Sequence, residues 1–242
     1  MMQGFNVMLG REVAELLGTW KARSLPIIIV LLGVLSPVIA WLQPSLGMPK
    51  ASTVDAYLHF SNNLIQVILM GIVISVAGVI SAERRSGTAL LMLTKPMSRT
   101  SFVLAKVVTK SFTVIVSGAV GAVVCWSVSQ LFFTNVMVSR FIVAVALWMV
   151  LAVMVVSVMT LFSVTMRSQA GATGAGFALY LALALFTQWS PALHYSPVGL
   201  MTLGGEVLAS GSASVIWQVG TAAMVTVIAS VAAIALFRRQ EL

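Results

Sequence analysis

The 242 residues predict an all-α polytopic membrane protein with six transmembrane helices. Three observations carry this reading. The chain is 60% hydrophobic and 8% charged, whereas a soluble domain carries about 25% charged residues. Its apolar residues gather into runs long enough to cross a hydrocarbon core, which takes about 20 residues per helix. Its basic residues avoid the interiors of those runs and stand at their ends, as membrane topology requires.

Residues 5–20 come first and carry a helical apolar stripe of Phe5, Leu9, Val13, Leu16, Leu17 and Trp20, with Arg11, Glu12 and Glu15 mostly away from it. That pattern predicts an amphipathic helix lying in the headgroup region before the chain turns into the membrane. A cap packed on the bundle is the alternative. The charges in residues 1–24, the lack of a small-residue cleavage site, and Pro44 and Pro49 beyond the first apolar run argue against a signal peptide. The first span is therefore expected to stay in the mature protein.

Six runs follow as candidate spans: Leu25–Trp41, Leu64–Ile80, Val107–Phe133, Phe141–Val164, Gly171–Gln188 and Val215–Phe237. With the N-terminus inside, Arg11, Lys21, Arg23, Arg84, Arg85, Lys95, Arg99, Lys106, Lys110, Arg167, Arg238 and Arg239 fall on the cytoplasmic side. Only Lys50 and Arg140 of the 14 basic residues fall outside. This asymmetry predicts that both termini are cytoplasmic. Trp41, Trp126, Trp189 and Trp217 lie near span ends, and Trp20 at the start of the first, as interfacial anchors do. Trp148 lies deeper and is expected to pack.

Two clusters of small residues at four-residue spacing invite close helix approach: Ser117/Gly121 with Gly118/Ala122, and Ala170/Gly174 with Gly171/Ala175. Contacts within one chain and a dimer seam are both open readings of them. Pro191 and Pro197 break the chain beyond the fifth span, and the apolar stretch 198–208 is too short to cross. It fits a re-entrant or interfacial element. With no repeat and no low-complexity tail, one transmembrane domain accounts for residues 1–242.

Several function classes are disfavoured. The formal charge of +8 admits a nucleic-acid partner, yet no basic face interleaved with aromatics appears, so none is expected. His59 and His194 have no Cys or carboxylate at ligand spacing, so no metal site is expected. The lone Cys125 cannot form an internal disulfide and is expected to pack. There is no Gly-x-Ser-x-Gly elbow and no Gly-x-x-x-x-Gly-Lys loop, so the chain is expected to be no enzyme and to hold no nucleotide of its own. No Asp, Glu or His sits centrally in a span, which weakens ion-coupled transport.

What stands out is the one long polar interruption, residues 82–99, between the second and third runs. Ala89–Thr94 is a short apolar helical piece bounded by Gly87-Thr88 and Pro96, with Arg84, Arg85, Lys95 and Arg99 around it. Such a helix can dock in a groove of a soluble partner or rest on anionic headgroups.

The pattern Glu83…Gly87-Thr88-Ala89-Leu90-Leu91-Met92-Leu93-Thr94-Lys95-Pro96-Met97-Ser98-Arg99…Lys106 resembles the signature of type 2 ATP-binding-cassette exporter permeases. There an acidic residue ends the second span, and Gly-Thr, a Leu-rich helix, a Pro-containing basic stretch and a Lys follow. The stretch Phe162…Met166-Arg167-Ser168-Gln169-Ala170 and the ending Phe237-Arg238-Arg239-Gln240-Glu241-Leu242 are similar to it too, as is the order of elements over nearly the whole chain.

The resemblance implies a membrane subunit of an ATP-driven exporter in a bacterial or archaeal plasma membrane, paired with a second copy or a paralogue. Two copies of a separate ATPase subunit would hold ATP and Mg, with no cofactor in this chain. The segment 82–99 would contain the cytoplasmic coupling helix, and Glu83, Gly87, Thr88, Leu90, Leu91, Leu93, Pro96, Arg99 and Arg167 would be the ATPase-coupling residues. Glu83 is expected to form an ion pair at the base of the loop. The outer loop at residues 42–63 is short, so no large extracellular domain is expected. Competing readings are a nucleotide-independent channel or secondary carrier, and a membrane component of metalloenzyme or cytochrome maturation.

Overall fold

The computed structural model describes residues 10, 14, 18–85, 98–133, 138–211 and 214–239, apart from the Lys21 side chain. The described elements are helices joined by short turns. Six of these helical segments are long and apolar enough to cross a membrane, which makes the chain an all-α polytopic membrane protein. Most of the amphipathic helix expected over residues 5–20, and the coupling helix expected within residues 86–97, lie outside the described residues.

Helix α1, Trp20–Leu42, forms the first span and accommodates Pro26 and Pro37. A 3₁₀ turn, Gln43–Leu46, closes on Gly47, whose φ of 75° is left-handed and suits glycine. The second span is longer than its apolar core suggests. It begins at α2, Thr53–Asn63, whose N-terminus is a capping box: Asp55 N–H donates to Ser52 Oγ and Ser52 N–H to the Asp55 carboxylate. It passes through a π turn, Leu64–Ile68, and continues as α3, Leu69–Ala77, and α4, Ser81–Arg85. Residues 53–63 look like outer loop in sequence because their mean polarity is high. The structure shows them helical because one face buries Ala56, Tyr57 and Phe60, with Tyr57 stacked on Phe141 at 4.0 Å between ring centroids.

The π turn has an identifiable partner. Leu64 O accepts from the Leu69 N–H and also from the Trp148 indole at 3.0 Å. Trp148 does pack, as the sequence suggested, and its N–H finds the acceptor that a buried indole needs.

Helix α5, Arg99–Phe132, is the third span and starts at Ser98, which caps it by accepting from Ser101 N–H. It begins before the predicted Val107 because its first turns bury Phe102, Val103 and Ala105 on the bundle. Helix α6, Val138–Thr165, is the central staff, in contact with α3 and α5 and with the later helices Leu200–Ser210 and Ile216–Arg239. Helix α7, Gln169–Phe186, is the fifth span, capped by Ser168. The predicted short outer element is α8, Ser190–Tyr195, a 3₁₀ turn Pro197–Gly199, and α9, Leu200–Ser210. Helix α9 buries Leu200, Leu203, Val207 and Leu208. Helix α10, Ile216–Arg239, is the sixth span.

The two clusters of small residues part ways. Ser117, Gly118 and Gly121 face inward, Gly118 against Trp148 and Gly121 against Ile29 and Phe60. Ala170, Gly171 and Gly174 are exposed on α7.

Helices α1 and α5 approach closely at Gly33, where an added Cβ would meet the Gly121 carbonyl oxygen at 2.5 Å. Overpacking that side chains can absorb costs ~1–3 kcal/mol, and here the obstacle is backbone. Gly33→Leu is therefore expected to lower the unfolding midpoint in detergent sharply. Gly220→Leu, whose Cβ meets nothing within 4 Å, is the matched control and should leave it unchanged.

Candidate functional site

The end of the bundle that carries α4, the start of α5 and the last turn of α10 assembles a polar, cross-braced platform around the ends of loop 86–97. Glu83 sits on α4 and Lys106 two turns into α5, and their side chains form an ion pair at 2.5 Å. Lys106 is 2% exposed and Glu83 16%, so the two charges compensate each other in a poorly hydrated site. The Lys106 ammonium also lies 5.9 Å from the centroid of the Phe102 ring, a cation–π contact. Phe102 in turn stacks on Phe237 of α10, 5.3 Å away and nearly coplanar.

The flanking arginines lock onto helix ends. Helix C-termini leave carbonyls without partners inside the helix, and a cation there also meets the negative end of the helix dipole. Arg84 donates to Val164 O at 2.9 Å, next to the end of α6, and Arg85 to Arg167 O at 3.4 Å. Arg99 donates to Arg238 O at 3.1 Å, at the end of α10. Just inside them, the break between α3 and α4 exposes backbone N–H groups. Ser163 Oγ accepts two of these, from Ile80 at 3.0 Å and Ser81 at 3.1 Å. Span 2 is thus tied to α5 by the ion pair and to α6 by Ser163 and Arg84, while α5 is tied to α10 by Arg99 and the Phe102–Phe237 stack.

Of the residues singled out in the sequence, Glu83 and Arg99 belong to this platform. Arg167 joins it through its backbone carbonyl, with its side chain exposed. Gly87, Thr88, Leu90, Leu91, Leu93 and Pro96 lie outside the described residues. Sequence reading did not identify Lys106 as the Glu83 partner, although it closes the quoted pattern. It named Arg84 beside the short apolar piece and Phe237 in the closing stretch without giving either a contact, and it missed Ser163 and Phe102.

No group of three His, Cys, Asp or Glu side chains that could hold a metal ion occurs among the described residues. His59 instead shares a 2.8 Å hydrogen bond with the Gln43 carboxamide.

Fold and platform together define a multi-pass helical membrane protein whose helix ends are braced against one another on the side where α5 starts and α10 ends. Residues 25–242 match the family described as Protein of unknown function (DUF2705), and the chain belongs to that family. It is also 24% identical over 226 residues to the Uncharacterized transmembrane protein YxlG of Bacillus subtilis (strain 168), covering 83% of this chain and 87% of that protein.

Proposed function

We propose that this chain is the membrane subunit of an ATP-driven exporter, a permease that lines a translocation path at the seam with a second copy or a paralogue. A separate ATPase subunit, in two copies, holds ATP and Mg and docks on loop 86–97. The observation that carries this reading is the brace at the loop's base. Glu83 and Lys106 join the two ends of the loop, and Arg84, Ser163 and Arg99 pass any movement there to α6 and α10. A push on the loop therefore moves four spans together rather than bending one connection. The exposed Ala170, Gly171 and Gly174 of α7 supply a flat surface on which a second copy can approach closely.

The proposal places both termini and residues 82–106 in the cytoplasm of a bacterial or archaeal cell, from the basic asymmetry. A cysteine introduced at position 86 is expected to resist an impermeant reagent added to sealed cells and to react after the membrane is opened. The native Cys125 is fully buried and does not compete. Rapid labelling from outside would reverse the topology. The division of labour is tested by phosphate release: the chain purified free of other polypeptides should hydrolyse no ATP, and a rate above background would refute it.

A further inference from the structure

Helices α1 and α5 meet closely at Gly33 and Gly121 but diverge toward the end that carries the termini. There, with the last turns of span 2, they enclose a cleft of about 620 Å³, within the range of small-molecule sites. Its wall changes character with depth. Leu25, Ile28 and Ile74 line the membrane side, and Ile28 and Ile74 are 40% and 52% exposed. Toward the helix ends stand Lys110, Gln169 and the Glu83–Lys106 pair.

The polar groups at that level are unequal. Glu83 already takes up the Lys106 ammonium, whereas Lys110 has no carboxylate partner among the described residues. The hydroxyls of Ser75 and Thr113, also in the wall, donate to Ile72 O and Thr109 O within their own helices. The donors left to a guest are the Lys110 ammonium and the Gln169 carboxamide, the latter held against Gly78, where an added Cβ would lie 2.9 Å from the Gln169 side chain. The three charged groups of the wall sum to one positive charge, +2 from Lys106 and Lys110 and −1 from Glu83. A cation at headgroup depth above an apolar slot fits one class of molecule.

We infer that this cleft is a binding site for an anionic phospholipid taken from the leaflet on the side of the termini, its phosphate on Lys110 and Gln169 and an acyl chain against Leu25, Ile28 and Ile74. The inference does not depend on the exporter reading, since it concerns a site within one chain and needs no ATPase.

The test uses the full chain in nanodiscs of phosphatidylcholine, with phosphatidylglycerol as the minor component, followed by native mass spectrometry of the released protein. Wild type is expected to retain phosphatidylglycerol in preference to phosphatidylcholine. Lys110→Gln should lower that retention about fivefold, the effect of one cation of ~1 kcal/mol at a lipid headgroup. Ser75→Phe, which fills the slot without changing charge, should lower retention of both lipids. Arg239→Gln, which removes an exposed cation outside the cleft, should change neither. Unchanged retention in either Lys110→Gln or Ser75→Phe, or equal retention of the two lipids by wild type, would overturn the assignment. So would displacement of the lipid by inorganic phosphate alone, which would mark a site for the ion and not for the amphiphile.

Discussion

Lys106→Ala is expected to destabilise the folded protein by about 3–5 kcal/mol, the usual loss when one partner of a buried ion pair is removed. The reason is the Glu83 carboxylate, 16% exposed, which loses the buried ammonium that compensates it. Protonating it, hydrating it or moving α4 would each relieve the charge, and each loosens the base of loop 86–97. Unfolding midpoints in detergent measure the effect. The double variant Glu83→Gln/Lys106→Met should recover most of the stability, because a pair replaced by neutral groups of similar volume leaves no orphan charge. It should not recover coupling, since the two ends of the loop are no longer joined by charge. A Lys106→Ala protein as stable as wild type would show that the pair braces nothing.

Leu91→Asp is the second large effect. Among the apolar residues of segment 86–97 are Leu90, Leu91 and Leu93. Burying one Leu is worth roughly 1.5–3 kcal/mol, and an unpaired carboxylate in a dry groove is worse than the loss of the Leu alone. Association with the proposed ATPase subunit is therefore expected to weaken at least tenfold, where 1.4 kcal/mol is about a factor of ten. Membrane insertion should be unaffected, because the loop lies outside the apolar spans. Transport and transporter-stimulated ATP hydrolysis should fall together. The matched control has to be an exposed position away from this segment, such as Tyr195→Asp, since Tyr195 is 64% exposed. Leu208 on α9 is 2% exposed, and a charge there would unfold the protein for reasons unrelated to docking.

Much of the architecture was legible because a membrane span is written in composition. The six apolar runs became the six spans, and Trp148, Cys125 and the inward half of the small-residue clusters became core. The boundaries moved where burial by neighbouring helices outweighed local polarity. Residues 53–63 are polar enough to read as loop, yet they are helical because Tyr57 and Phe60 have Phe141 to pack on. The site was legible in part. Glu83 and Arg99 stand out as charges flanking a run, but their partners are set by which helix ends meet in space. Lys106 is 23 residues from Glu83, Arg238 is 139 from Arg99, and Ser163 is 82 from Ser81. No local periodicity encodes such separations. The π turn was equally hidden, since its second hydrogen-bond donor, Trp148, is 84 residues away.

The central claim is that loop 86–97 touches a nucleotide-hydrolysing protein and not the membrane surface. Placing a photo-crosslinking amino acid at position 91 and irradiating intact cells tests it most directly. The account predicts a covalent adduct between this chain and an ATPase subunit, lost when Leu90 and Leu93 are both changed to Asp. Crosslinks to lipid alone, in cells where the chain is folded and inserted, would contradict it and leave the loop as a helix resting on headgroups.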